Sequence, residues 1–362
     1  MKSLLRFFER LRPHFREGGR FSGLWPLFDA IENFFLSSSL RTETAPHVRD
    51  PLDVKRFMFI VVVALLPCVV AALHFFGLRV LVMILVSYAV GGTVEVLFAI
   101  VRKEEINEGF LVTGLLFPLI LPPALPLWMV AVGVAFGVIV GKELFGGTGR
   151  NLFNPALVGR CFLAISYPVA MSSNWIQPGS GFIGRLTQYV DASRLDAISS
   201  ATPLAAAKQG TFADVSDLFW GNVSGSVGET SAFAVLLGGV FLILTRVANW
   251  RTALGTVGSF ASLGAVLHHV APGTFGPAGW HLLAGGLLFG AFFMATDPVT
   301  SPITNGGKWA YAIIIGAATV LIRHLIPYVE GVMFAILLGN IAAPVLDEVA
   351  IRFRLRRLRN ER

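Results

Sequence analysis

Residues 57–76 read FMFIVVVALLPCVVAALHFF, twenty in a row without a formal charge. A helix rises 1.5 Å per residue, so this stretch is about 30 Å long, the thickness of a bilayer's hydrocarbon core. The chain beyond repeats the theme. Val80–Val101 is a second apolar run, closed by Arg102, Lys103, Glu104 and Glu105. Gly109–Leu121 is as apolar but stops after 13 residues at Pro122–Pro123. That is too short to span, so a half-length or broken helix is expected. Ala124–Val140, Pro155–Ala170, Thr230–Thr245, Ala253–Val270, Trp280–Ala295, Trp309–Ile326 and Gly331–Leu346 bring the segments to ten.

Of 362 residues, 54% are apolar and only 14% charged. A soluble domain carries roughly 25% charged residues, so a globule in water is excluded and an all-α integral membrane protein is expected. The net charge of +7 is concentrated at the ends: Lys2, Arg6, Arg10, Arg12, Arg16 and Arg20 at the start, Arg352, Arg354, Arg356, Arg357, Arg359 and Arg362 at the close. The positive-inside rule then puts both termini in the cytoplasm, which an even number of spans satisfies. The same count puts 142–150, 246–251 and 296–308 inside and the long hydrophilic loop 171–229 outside. Five segments precede that loop and five follow it in the opposite orientation. This is the arithmetic of two inverted five-helix halves, an architecture that sets midplane sites beside broken helices.

The organisation expected is therefore a basic amphipathic extension (1–55) lying on the membrane or a partner subunit, a first half (56–171), an extracytoplasmic loop (172–229), a second half (230–350) and an arginine-rich tail (351–362). Basic clusters that flank apolar spans fit orientation and anionic lipid better than nucleic acid. The first long apolar run starts near Phe57, too far along for a cleavable leader. Cys68 and Cys161 are isolated thiols that cannot hold a four-cysteine iron–sulfur cluster or a structural zinc. None of the seven histidines pairs at helical spacing within a span, so neither a haem nor a metal centre is expected.

Three places carry chemistry. In the outer loop, Asp196-Ala197-Ile198-Ser199-Ser200-Ala201-Thr202-Pro203 reads as a helix start, with Thr202 as N-cap and Pro203 at N1. The same stretch resembles the Asp-x-x-Ser/Thr-Gly-Ala-Thr signature at which a flavin transferase esterifies threonine, with Ser200 in the glycine position. The two readings are compatible. In Gly141-Lys142-Glu143-Leu144-Phe145-Gly146-Gly147-Thr148-Gly149-Arg150-Asn151-Leu152-Phe153-Asn154-Pro155, no Gly-Lys-Ser/Thr closes a Walker loop. Asn151 and Asn154 enter a span on one face, either as caps or as amides that hydrogen-bond the edge of a flavin-like ring. Glu95, seven residues inside Arg102, costs roughly 2.5–3.5 kcal/mol near a helix centre. Its retention points to ion handling or to a buried pair with Arg160. Asp297 and Asp347 sit at inner span ends, where Asp297 can end a helix and Asp347 can pair with the arginine tail. Glu108 can serve as an N-terminal dipole partner. Gly91 and Gly92, one turn before Glu95, would let a flat ring approach the backbone.

These motifs occur in order, together with His47-Val48-Arg49-Asp50, the run Arg102–Phe110 and Met294-Ala295-Thr296-Asp297-Pro298. From His47 to the C-terminus the chain resembles the family of B subunits of the sodium-translocating NADH:quinone oxidoreductases, large membrane components of a bacterial respiratory complex. The D subunit of the related Rnf complex, a ferredoxin:NAD oxidoreductase, shares the fold and the flavin threonine. The basic extension and the Gly-Gly-Thr-Gly-Arg-Asn loop are more similar to the first family. The resemblance implies FMN bound covalently to Thr202 by a flavin transferase, and non-covalent riboflavin near Asn151, Asn154 and Asp297. It implies a quinone near Gly91, Gly92 and the extension, and sodium movement involving Glu95, Asp297 and Asp347. Electrons would come from NADH through partner subunits carrying FAD, iron–sulfur and another FMN, then pass from FMN through riboflavin to quinone. The chain has no dinucleotide fingerprint of its own, as expected if NADH binds elsewhere. The location implied is the bacterial inner membrane, with the Thr202 loop periplasmic. Two other classes stay open on the residues alone: a passive inverted-repeat permease or channel, and a purely structural subunit.

Overall fold

The computed structural model describes residues 10–15, 25, 28, 54–103, 109–173, 175–178, 202–270, 276–325 and 331–360. His47–Asp50, Glu104–Glu108 and Asp196–Ala201 lie outside them, as does most of the basic extension. Among the described residues every regular element is a helix. The first half contains α1 (Val54–Phe76), α2 (Arg79–Arg102), α3 (Gly109–Leu119), α4 (Leu127–Gly141) and α5 (Pro155–Ser166). Two short helices, α6 (Pro203–Ala207) and α7 (Val215–Trp220), belong to the connecting loop. The second half contains α8 (Ala232–Leu244), α9 (Trp250–Val270), α10 (Ala278–Leu283), α11 (Leu287–Phe289), α12 (Asn305–Leu325) and α13 (Val332–Asn360). Six of these helices are long and apolar enough to cross a membrane, and α3, α5 and α8 are shorter apolar helices. Exposed Phe59, Leu66, Val70, Leu85, Leu237 and Leu338 give the bundle the outer surface that lipid tails require. The chain is an all-α integral membrane protein.

All ten expected segments are present, with instructive differences. The expected span Pro155–Ala170 breaks at Tyr167 (φ −132°, ψ 56°), because the residue before Pro168 is barred from helical geometry; a short helix resumes at Pro168–Ser173. The expected span Trp280–Ala295 is interrupted twice: α10 ends at Leu283, and α11 passes into a π-helical turn at Gly290–Met294. The arginine tail is continuous with the last span, since α13 runs unbroken from Val332 to Asn360.

The two halves repeat one pattern of neighbours. α2 packs on α4 and α4 on α5; correspondingly, α9 packs on α12 and α12 on α13. The third element of each half, α3 or α11 with its π turn, is short and packs against the half's opening helix, α1 or α8. α1 and α8 also pack against each other, which joins the halves.

A helix that stops inside a membrane leaves carbonyls that lipid cannot satisfy. Beyond α3, Arg79 donates from Nε to Pro123 O (3.0 Å) and from Nη2 to Leu125 O (2.9 Å). The backbone N–H groups of Val227 and Gly228 take Leu121 O (3.0 Å) and Leu119 O (2.7 Å). In the second half Arg323 does the same for the break after α10, donating to His281 O (2.8 Å) and Ala284 O (3.1 Å). Two buried guanidiniums thus replace the missing turns.

Close helix approach rests on glycine. Gly133, Gly137 and Gly141 recur every fourth residue along α4 and face α5, with Gly133 and Gly137 against Gly159 and Gly141 against Pro155 and Val158. A side chain on Gly137 would run into Pro155 O, and one on Gly159 into Gly133 O. The backbones touch there, as small-residue stripes allow in membranes.

Candidate functional site

At the Arg102 end of the bundle, α1, α3, the 142–155 loop, the end of α8 and the segment after the π turn enclose a cavity with about 690 Å³ of unfilled space, part of it open outward. Its lining includes the polar side chains of Lys142, Thr148, Asn151, Asn154 and Asp297. Apolar side chains, Phe57, Met58, Val112, Leu116, Leu242 and Phe293 among them, complete it.

Asn154 caps α5, its Oδ1 accepting from Ala156 N–H at 3.0 Å with Pro155 at N1. Its Nδ2 points across to Asp297 Oδ2, 3.5 Å away and 143 residues further along the chain. Asn151 lies in the loop before α5, not on the helix, and its Nδ2 donates to Phe153 O at 3.0 Å. Both amides are buried. Asp297 Oδ1 accepts from Val299 N–H at 3.0 Å and so does turn the chain beyond the π turn, and the residue also lines the cavity. The capping and cavity-lining roles coexist. Thr148 Oγ1, in the same wall, is buried without a hydrogen-bond partner among the described residues. An unsatisfied hydroxyl beside two amides and a carboxylate, among apolar side chains, is a lining that suits a ligand with both a polar edge and apolar surface.

Glu95 does not pair with Arg160. Its Oε1 accepts from Lys142 Nζ at 2.5 Å, with both side chains buried. α4 packs between α2 and α5, and its C-terminal lysine reaches Glu95 first. Arg160 instead donates to Glu229 Oε1 (3.2 Å) and Ser226 Oγ (3.4 Å) in the loop before α8. Asp347 does not bind the arginine tail either. Its carboxylate accepts from the N–H groups of Ile303 (2.7 Å) and Thr304 (2.9 Å) and from Thr304 Oγ1 (2.5 Å), tying α13 to the start of α12. The face that Gly91 and Gly92 were expected to leave open to a flat ligand ring is filled by the chain's own Phe110. A Cβ on Gly91 would lie 2.6 Å from Phe110 Cε2, and one on Gly92 3.3 Å from Cε1.

At the opposite end Thr202 caps α6, its Oγ1 accepting from Ala205 N–H at 3.3 Å. It is buried in a second, smaller cavity with Leu204, Leu218, Ser224, Glu229 and Thr230. Glu229 also lines the buried space beside Arg160 and Arg323. The sequence reading missed Glu229 because it adjoins an uncharged, serine-rich loop that gives no sign of a buried partner.

Residues 41–355 match the model of the NQR2, RnfD, RnfE family. The chain belongs to that family. Relatives agree along nearly the whole length. The chain is 38% identical over an alignment of 404 residues to the B subunit of the Na(+)-translocating NADH-quinone reductase of Azotobacter vinelandii, covering 97% of each chain. It is 36% identical over 407 residues to the same-named subunit of Ectopseudomonas mendocina, again with 97% of both chains covered. The Klebsiella pneumoniae relative of the same name is 37% identical over 409 residues, with 96% of this chain and 97% of its own covered.

Proposed function

We propose that this chain is the membrane subunit of a sodium-translocating NADH:quinone reductase of the bacterial inner membrane. It passes electrons from FMN esterified to Thr202, through riboflavin, to a quinone, and couples that transfer to sodium movement. The observation that carries the reading is the convergence of Asn151, Asn154 and Asp297 on one amphiphilic cavity. The relatives' names supply the reaction class. Both termini and the Arg102 end face the cytoplasm, and the Thr202 end faces the periplasm, where the flavin transferase acts. NADH oxidation belongs to partner subunits.

A flavin supplies one- and two-electron chemistry when bound; the chain's residues determine where. Asn151 and Asn154 hold a ring edge through amide donors and acceptors, and the apolar wall of Phe57, Val112, Leu116 and Phe293 excludes water from its face. At Thr202, esterification removes the hydroxyl as a capping acceptor. The N–H groups of Leu204 and Ala205 then become available to phosphate oxygens, with the positive end of the short helix behind them. The quinone headgroup reaches α2 near Gly91 and Gly92 when Phe110, whose ring fills that face, swings aside. Glu95, Asp297 and Asp347 supply the oxygen ligands that sodium, a hard cation, prefers.

Two experiments test this reading. Thr202→Ala should lower the mass of the intact chain by one FMN and leave its gel band dark under ultraviolet light, with assembly retained. An unmodified parent chain, from cells that have the transferase, would remove the covalent flavin from the scheme. The double change Asn151→Ala, Asn154→Ala should abolish extractable riboflavin while the covalent FMN remains. If extractable riboflavin stays at the parent level, the two amides are structural. The variant will also lose some stability, since the Asn154 cap contributes roughly 1 kcal/mol.

A further inference from the structure

Lys142 belongs to two arrangements at once. Its Nζ holds Glu95 Oε1, and its side chain lines the cavity shared by Thr148, Asn151, Asn154 and Asp297. The second Glu95 oxygen, Oε2, is buried and takes no hydrogen bond from any described residue. Glu143, next in the chain, has its own cation in Arg102, whose Nη1 holds its carboxylate at 3.0 Å. Lys142 itself has left helical geometry (φ −131°, ψ −59°) at the end of α4. Its four-carbon stem carries three donors on a pivoting head.

An ammonium hydrogen-bonded to a carboxylate stands where a sodium ion would stand. We propose that Lys142 is a tethered competitor of sodium at Glu95. While its Nζ sits on Oε1 the carboxylate is closed to the ion. When the occupant of the cavity carries negative charge, the ammonium turns to it and leaves both Glu95 oxygens for sodium. Charge balances in each state. The Lys142–Glu95 pair is neutral before the exchange; afterwards sodium neutralises Glu95 and Lys142 neutralises the occupant. No covalent bond changes and no proton moves. Lys142 is thus a positioning residue that links the flavin cavity to the ion route. The inference rests on the flavin and sodium reading given above.

The test is equilibrium binding of radioactive sodium to the purified complex, both oxidised and reduced with excess dithionite, which supplies the electrons and is itself oxidised. Binding lost in Glu95→Gln defines the Glu95 site. In oxidised parent protein that site should be weak, and reduction should tighten it. If the ammonium leaves the carboxylate about a tenth of the time or less, Lys142→Met should raise affinity about tenfold or more and abolish the redox dependence. Sodium, and not potassium, should then raise the melting temperature of Lys142→Met more than that of the parent. Lys142→Arg keeps the charge, forks onto both Glu95 oxygens and should prevent the tightening on reduction. If Lys142→Met does not assemble, Lys142→Arg decides alone, and parent-like tightening in it overturns the proposal. So does a parent-like affinity of Lys142→Met in both redox states while Glu95→Gln loses binding. If Glu95→Gln binds sodium as the parent does, the assignment of Glu95 to the ion route fails first.

Discussion

Glu229→Leu should cost the folded chain about 3–5 kcal/mol, the loss expected when one partner is removed from a buried ion pair. Glu229 Oε1 takes Arg160 Nη1 at 3.2 Å with both side chains buried, and its charge also acts on Arg323. Arg323 has its own carbonyls at His281 and Ala284 and can keep its charge without Glu229. Arg160 has Glu229 as the carboxylate of its ion pair. Removing Glu229 therefore strips that carboxylate from a guanidinium in a low-dielectric interior. The double change Glu229→Leu, Arg160→Met should be milder than Glu229→Leu alone, because the guanidinium leaves together with the carboxylate. Thermal unfolding of the detergent-solubilised chain, followed by its tryptophan fluorescence, measures all three proteins. A single variant as stable as the parent, or a double variant no better than the single, would contradict this account. Since Glu229 also lines the Thr202 cavity, the single change should reduce covalent flavin along with stability.

Gly159→Val should prevent assembly, and Gly159→Ala or Gly137→Ala should each destabilise by about 2–3 kcal/mol or more. The obstacle in each case is a backbone carbonyl of the facing helix, Gly133 O or Pro155 O, and backbone cannot rotate away as a side chain can. The helices must separate, and the loop after α4, with Lys142 and Thr148, moves with them. Riboflavin retention should therefore fall in step with the melting temperature. Gly258→Ala is the control: nothing lies within 4 Å of a Cβ built there, in the middle of α9. It should be neutral, or more stable by about 0.5–1 kcal/mol through helix propensity. Equal melting temperatures for Gly159→Ala and Gly258→Ala would refute the close-packing argument.

Hydropathy made the ten segments and the short third helix legible because bilayer thickness is a length, and length is written in the chain. Pro122–Pro123 announced the first break. The break after α10 carried no proline, only Gly285 and Gly286, and the π turn at Gly290–Met294 has no sequence mark of its own. Charge pairing was legible in depth but not in partner. Glu95 and Arg160 lie at similar distances from the same end, yet α4 intervenes, and a lysine drawn back from a loop takes the carboxylate. The intervening helix did carry a signal, the fourfold spacing of Gly133, Gly137 and Gly141. Asn151, Asn154 and Asp297 were legible as residues of interest. Their meeting in one cavity depends on the two halves packing through α1 and α8.

The half-length elements also bear on how the chain feels voltage. α3 has 11 residues and is about 16 Å long, against about 30 Å for the hydrocarbon layer. Polar linings reach inward from both ends, as far as Asp297 on one side and Glu229 on the other. Where water follows those linings, the insulating layer is thinner than the lipid around it, and the local field is stronger in proportion. Carrying one elementary charge through the full drop is worth roughly 2.3 kcal/mol per 100 mV. That work is then concentrated in the stretch between the two cavities. A displacement of charge there then works against more of the membrane potential than the same displacement near either surface.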